Sequence, residues 1–600
     1  MANVMNLKSV KDNPTRSGFD LSHKIGFTAN VGELLPISCQ RILPGDKIKI
    51  DLKAFTRTSP VNTAAYTRIR EYFDVFFVPT RLLWDKFPQW IVQTDQPVYA
   101  RSLTQAASGF NTMPYFTDLD LINFSNDFRI FVSNSGTPLV DEGGKNAHTQ
   151  FFKLADLLGY AAPLYDNISS EGVVPTTGTA LDPFPFLAYQ KIYQDHYRNA
   201  QWEKARPQCY NLDYINQDSL THLSVGNGFG SNDNAMDCMF TLRYANFNRD
   251  YFFGTYPKPQ FGETALAGPL VALSPGSFDV NLINYNSSSS AIAPIVVGTR
   301  YNTDPLGYSS ASPGSSFTRK LNFSLGAFGN NSGISVLNIR IAEALQKFRE
   351  IQNTGRKDYK NQLYKQWGVK ISDLASDFSQ FVGGTSSNIE ISEVVNQSVG
   401  EYGENATIRG KGVGVNSDYI TFDNTGSNAD YGYLMVIYHA EPVLDYCSNM
   451  GLDKKLTQVK ATDFPIPVMD SIGMQEVYSS EFLLHYSKSS GINTSVIGYA
   501  PRYAEYKTAI DRVHGGFTYG GYTSWVAPVS RDSFKISGYV FGHPTWSYLW
   551  QKIRPSILNS IFVAQQSSEF DTTYSEDQLL VNCMLGEYAT RNLSYDGMPY

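Results

Sequence analysis

The chain has 600 residues and a mass of 66.9 kDa, with 49 Lys and Arg against 56 Asp and Glu and a formal net charge of −7. Charged residues make up 18%, aromatics 14% and hydrophobics 42%, and there are 38 Tyr, 37 Phe, 47 Gly and 29 Pro. This composition, rich in strand and turn formers, excludes a disordered chain and a coiled coil. The length allows either about four domains or one sheet-based fold with long insertions.

Residues 1–45 read as a polar, irregular N-terminal arm with Pro14, Pro36 and Pro44. They hold no apolar run of the kind a secretory signal needs. Asp46–Thr58 alternates, with Ile48, Ile50, Leu52 and Ala54 on one face, which predicts a strand with one buried side. Ile69–Pro79 is a denser aromatic strand, expected to be buried on both faces. Helical patterns follow at Arg81–Ile91, with Pro88 near its end, and from a Thr149 cap through Leu158 to Gly159. A third spans Leu187–Lys204, where Tyr189, Tyr193 and Tyr197 share a face.

Residues 206–333 change character. Between Ser274 and Leu337 there are 14 serines and five charges, the mark of a long surface excursion. Ser335–Ile351 then carries Ile339, Ala342, Leu345 and Phe348 at helical period, and Lys357–Trp367 is a second amphipathic piece. Strand signals return at Ala406–Arg409, Tyr419–Phe422, Tyr431–His439, Lys535–Phe541 and Leu579–Met584. Pro544–Val563 reads as helical until Pro555 interrupts it. Strands at both ends with helices on long insertions describe a mainly-β sandwich of Greek-key type whose terminal strands meet. No run of 18 apolar residues suits a membrane span.

Catalytic signatures fail one after another. Gly410–Gly414 (GKGVG) and Gly226–Gly230 (GNGFG) precede no helical pattern and read as turns rather than phosphate loops. The eight histidines never pair at metal-ligand spacing, and His196 reads as a packed residue. His514 and His543 lie in loops. The acidic pairs Asp118/Asp120, Asp233/Asp237 and Asp423/Asp430 fit no calcium loop and read as solvated turns. Cys39, Cys209, Cys238, Cys447 and Cys583 are scattered and odd in number, which argues against disulfides or zinc and for folding in a reducing cytoplasm. The expectation is no enzyme, no metal and no cofactor.

Charge is more informative. Residues 1–70 hold eleven cations (Lys8, Lys11, Arg16, Lys24, Arg41, Lys47, Lys49, Lys53, Arg57, Arg68, Arg70) against five acids, a surplus of six in a chain that is negative overall. One reading is a solvated strand face. The other is an end that meets a polyanion while the rest meets water.

Several passages together resemble the major capsid protein of the Microviridae, the small tailless single-stranded DNA bacteriophages, and most of all its gokushovirus-like branch. They are Ser17–His23 (SGFDLSH), Leu35–Asp46 (LPISCQRILPGD), Tyr72–Pro79 (YFDVFFVP) with Leu83-Trp84, and Phe184–Arg198 (FPFLAYQKIYQDHYR). Asn338–Phe348 (NIRIAEALQKF), Tyr499–Lys507 (YAPRYAEYK), Asp577–Val581 (DQLLV) and Arg591–Tyr600 follow in family order. Residues 206–333 match poorly.

The resemblance implies an eight-stranded viral jelly roll with long, partly helical loop insertions. It implies a single jelly-roll domain over 46–600, with 206–333 as a variable insertion that forms a protrusion at the threefold axes and is used in host attachment. It implies a homo-oligomer of sixty copies in a T=1 icosahedral shell around circular single-stranded DNA, assembled in the bacterial host cytoplasm and located in the virion. Expected partners are that DNA, a small basic DNA-packaging protein, a pilot protein, a scaffolding protein and a host surface receptor, without membrane insertion. Lys8, Lys11, Arg16 and Lys24 are the candidate DNA-facing residues. The competing reading from the aromatic content is a carbohydrate-binding or carbohydrate-active β-sandwich.

Overall fold

The computed structural model describes residues 16–59, 61, 66–92, 113–118, 120–121, 141–143, 145, 147–160, 178–215, 238–262, 278–280, 319–321, 336–356, 358–392, 411–425, 429–447, 451–482, 495–519, 521–522, 525–529, 548–558, 561–562 and 577–595. The chain forms two compact units, residues 1–259 with 352–600 and residues 260–351.

The first unit is built on β1 (Ser17–Asp20), β2 (His23–Ala29), β3 (Leu35–Ile42), β4 (Lys47–Thr58), β5 (Ile69–Pro79), β6 (Gln380–Ser392), β7 (Lys411–Asp423), β8 (Gly432–Pro442) and β9 (Leu579–Arg591). Their order is β1-β9-β4-β7-β6-β5-β8-β3, with β2 also on β9, and every pairing is antiparallel. Strand β6 belongs to two walls. Its residues 380–389 pair with β5 and its residues 390–392 with β7, so the sheet curls. The result is mainly β, eight strand positions wide, and agrees with a jelly roll.

One side of this sheet is the core. Ile48, Ile50, Leu52 and Ala54 of β4 are buried, as are Leu579, Val581, Cys583 and Leu585 of β9. Strand β5 is covered on both faces only from Val75 onward. There the ring of Phe76 meets His196, Tyr197 and Phe381. The terminal strands do meet: β9 lies along the whole of β4.

The helices differ in detail from the sequence pattern. Arg81–Ile91 splits into a 3-10 turn, Thr80–Leu82, and α1 (Phe87–Val92), which has Pro88 in its first turn. Proline costs nothing there, because the first N–H groups of a helix have no partner anyway. Helix α2 (Ala147–Leu157) starts before Thr149 and is followed by Gly159 at φ +87°. Helix α3 (Phe184–Ile192) starts earlier than expected, again with proline in its first turn, and widens into a π turn, Tyr193–Tyr197, before Arg198 turns extended.

Gly410–Gly414 was expected as a turn, but from Lys411 onward it is strand β7. A Cβ on Gly414 would lie 2.9 Å from Glu71 Oε1 and 3.1 Å from Ile389 Cγ1, so the glycine permits a close strand crossing. Around Trp550, the expected helix is two 3-10 turns, Tyr548–Gln551 and Pro555–Leu558. The strands expected at Ala406–Arg409 and Lys535–Phe541 lie outside the described residues, as do the GNGFG segment, Asp233/Asp237 and His543.

Residues 238–256 fall within the stretch read as a surface excursion, yet Met239, Phe240, Leu242 and Tyr244 are buried in the core of the first unit. Arg243 is wholly buried beside them. It donates to Glu142 Oε1 at 2.7 Å and to Gln190 Oε1 at 2.8 Å. Lys552, also buried, donates to Tyr193 Oη at 2.5 Å and lies 3.6 Å from Glu203. Both of these buried cations therefore have partners. Lys153 ties helix α2 to the turn between β2 and β3, reaching Glu33 at 2.6 Å, and to the entry of β9, reaching Asp577 at 2.7 Å.

The second unit contains most of α4 (Val336–Asn353) and a short pair, Phe278–Val280 with Arg319–Leu321. Ile339, Leu345 and Phe348 of α4 are exposed. In the first unit, α5 (Tyr359–Trp367) ends at Gly368, φ 72°.

Candidate nucleic-acid interface

The second side of the β9–β4–β7 wall is open to solvent. Alternation on β4 puts Lys47, Lys49, Lys53, Phe55 and Arg57 there, with Asp51 half-buried among them. Register adds the neighbours. Leu580 and Val413 flank Arg57, Val415 lies opposite Phe55, Met584 opposite Lys53, Tyr419 opposite Asp51, Tyr588 opposite Lys49 and Asp423 opposite Lys47. Strand β2 extends the face, with Lys24 opposite Met584.

Two cations are already matched. Lys47 lies 2.8 Å from Asp423 and Lys53 3.0 Å from Asp51. The Lys47 ammonium and the Thr425 hydroxyl hold the Asp423 carboxyl down at about 2. Lys24, Lys49 and Arg57 have no carboxylate partner among the described residues. The Arg57 guanidinium instead lies 5.0 Å over the Phe55 ring. The rings of Phe55, Tyr419 and Tyr588 are 37%, 56% and 52% exposed. Such a face offers positive charge and flat apolar surface together, the combination that binds polyanions with planar groups.

Of the four sequence candidates, Lys24 lies on this face. Arg16 lies at the turn before β4, where its guanidinium donates to the Gly45 carbonyl at 2.6 Å. Lys8 and Lys11 lie outside the described residues. The sequence count included Lys49, Lys53 and Arg57 without singling them out, although the period of two already placed them together. Tyr419, Met584 and Tyr588 join only through register.

The other candidates do structural work. His196 Nε2 lies 2.8 Å from the Ser379 carbonyl. Asp118 accepts from the Thr179 N–H and Asp120 from Thr117. Asp423 and Asp430 have separate partners, Lys47 and Arg81. Among the described residues no three His, Cys, Asp or Glu side chains converge as metal ligands. No described helix is long and apolar enough to cross a membrane.

A curled antiparallel sheet with helical excursions and an open cationic wall describes a viral coat subunit of the jelly-roll class. Comparison with known proteins makes this particular: residues 8–130 and 158–577 match the family described as "Capsid protein (F protein)", and the chain belongs to that family. It is similar to capsid protein VP1 of Chlamydia phage 1, 23% identical over 553 residues, 84% of each chain. It is 22% identical over 533 residues to capsid protein VP1 of Bdellovibrio phage phiMH2K, covering 84% of this chain and 82% of the relative. With capsid protein VP1 of Spiroplasma virus 4 it shares 24% identity over 398 residues, 63% of this chain and 61% of the relative. The chain is a major capsid protein of the Microviridae, a structural protein of the virion.

Proposed function

We propose that sixty copies of this capsid protein close a T=1 icosahedral shell around a circular single-stranded DNA genome, with Lys8, Lys11, Arg16 and Lys24 turned inward. The match to the capsid family along nearly the whole chain carries this reading. The exposed placement of Arg16 and Lys24 supports it. Closed symmetry lets many modest contacts add up without leaving an open end. Each copy carries −7, so the shell adds negative charge, and a small basic packaging protein or cations must balance the genome. A scaffolding protein and a pilot protein complete the partner set. The excursion within 206–333 forms the threefold protrusion that meets a host surface receptor, and assembly takes place in the bacterial cytoplasm.

Light scattering on the size-exclusion peak, followed by negative-stain microscopy, tests the shell. A uniform spherical particle of about 4 MDa is expected for sixty closed copies. Particles of a different subunit number would overturn the stoichiometry. Reversing Lys8, Lys11, Arg16 and Lys24 to Glu is expected to lower packaged DNA per particle, and unchanged packaging would remove those residues from the role.

A further inference from the structure

We propose that the open face of β9, β4 and β7 is a stacking track that binds single-stranded nucleic acid through Phe55, Tyr419 and Tyr588, with Lys24, Lys49 and Arg57 taking the phosphates. This deepens the reading above: the packaged genome as the source of the strand rests on that reading, while the binding itself does not.

Spacing is the first argument. Strand neighbours lie 4.7–4.9 Å apart and alternate residues on one face about 7 Å apart, so register places the three rings roughly 12 to 20 Å from one another. The unmatched cations flank them. Lys24, through Met584, is level with Lys53 between Phe55 and Tyr419, Lys49 is level with Tyr588, and Arg57 lies two residues beyond Phe55. A strand crossing this wall meets ring and charge in turn. The rings stand on three different paired strands, so their spacing is fixed before anything binds.

Charge complementarity is the second. The face carries five cations, Lys24, Lys47, Lys49, Lys53 and Arg57, in a chain that is −7 overall. The two acids beside them, Asp51 and Asp423, are already neutralised by Lys53 and Lys47. Asp20, opposite Tyr588, accepts from Ser22 and keeps its charge, so five cations face three acids. What remains for a ligand is positive.

The apolar content decides which polyanion fits. Val413, Val415, Leu580 and Met584 are exposed on the same face, and phosphate alone would leave them wet. Unpaired bases cover such surface by stacking. A duplex keeps its bases stacked on each other and offers this wall only backbone. A second copy of this chain would bury the apolar residues but would have to meet Lys24, Lys49 and Arg57 with acids of its own.

The test uses the purified full-length protein, a fluorescent 16-nucleotide DNA strand and the duplex of the same sequence, read by anisotropy at several salt concentrations. The single strand is expected to bind at least tenfold more tightly. F55L/Y419L/Y588L is expected to lose tenfold or more on the single strand and little on the duplex. K24Q/K49Q/R57Q is expected to flatten the slope of log K against log salt by about 2, near 0.7 per cation removed. The glutamine variant keeps every ring and reads the track even should the leucine variant fail to fold. Equal affinity for strand and duplex, or single-strand binding unchanged in either variant, would overturn the track. Loss of particles with unchanged DNA binding would assign the face to a contact between copies. Particle mass is read separately, so a shell without the track and a track without the shell are distinct results.

Discussion

Glu142 and Arg243 sit 2.7 Å apart with neither side chain reached by solvent. The pair joins a loop before α2 to a segment inside 206–333, the stretch whose sequence reads as a variable surface insertion. Removing Glu142 leaves the Arg243 guanidinium in the core without its carboxylate. We expect Glu142→Gln to cost about 3–5 kcal/mol, seen as a lower urea midpoint with unchanged slope. Adding Arg243→Met should cost less than the sum of the two single changes, because the second removes the charge the first orphaned.

Lys153 makes a comparable link, from α2 to Glu33 and Asp577. Its ammonium holds the Asp577 carboxyl below the ordinary range against the opposing effect of burial. Stability from Asp577 is therefore present above about pH 4 and lost as pH falls through the lowered value. Lys153→Met should destabilise by about 3–5 kcal/mol at pH 7 and by clearly less near pH 3. Chemical denaturation at the two pH values measures the difference.

Asp141 runs the other way. Burial pushes its carboxyl up to about 7, against hydrogen bonds from the Tyr244 hydroxyl and the Lys145 N–H. Between about pH 4 and pH 7 the folded chain keeps a proton that the unfolded chain has released, so stability falls as pH rises across that window. Asn in its place has no such proton and can keep the same neighbours. Asp141→Asn should gain on the order of 2–4 kcal/mol relative to the wild type between pH 4 and pH 8, read from thermal unfolding at both.

Gly414 passes over the carboxylate of Glu71, which accepts from Thr56 and Ser387 at 2.6 Å each. A larger side chain must displace that buried acid. We expect Gly414→Val to cost about 1–3 kcal/mol, and Gly26→Val on β2, where an added Cβ meets nothing within 4 Å, to cost less. Melting temperatures of the two variants decide it.

The strands were legible wherever a period of two met one buried face: Asp46–Thr58 differs from β4 by one residue. The same period held Lys49, Lys53, Arg57 and the Phe55 ring, but not Tyr419 and Tyr588, which come from strands roughly 360 to 530 positions away and join only through register. Glycine misled at Gly410–Gly414, because a glycine needed for close approach looks in sequence like one needed for a turn. Helix ends shifted where proline sat in a first turn, since proline reads as a breaker unless its position in the helix is known. In α4 the period of 3.6 correctly announced a helix. It could not say what covers the stripe, and Ile339, Leu345 and Phe348 are exposed. Residues 238–256 were hidden because the serine-rich, charge-poor character of Ser274–Leu337 and the poor family match were extended over the whole of 206–333.

The pairing of β9 with β4 also has a meaning in time. At 5–20 residues per second, the two strands leave the ribosome roughly half a minute to two minutes apart. Throughout that interval the edge of β4 that will receive β9 has no native strand to pair with, and an open edge recruits whatever strand it meets. Lys47, Lys49, Lys53 and Arg57, lying along that edge, would make nascent copies repel one another while they wait.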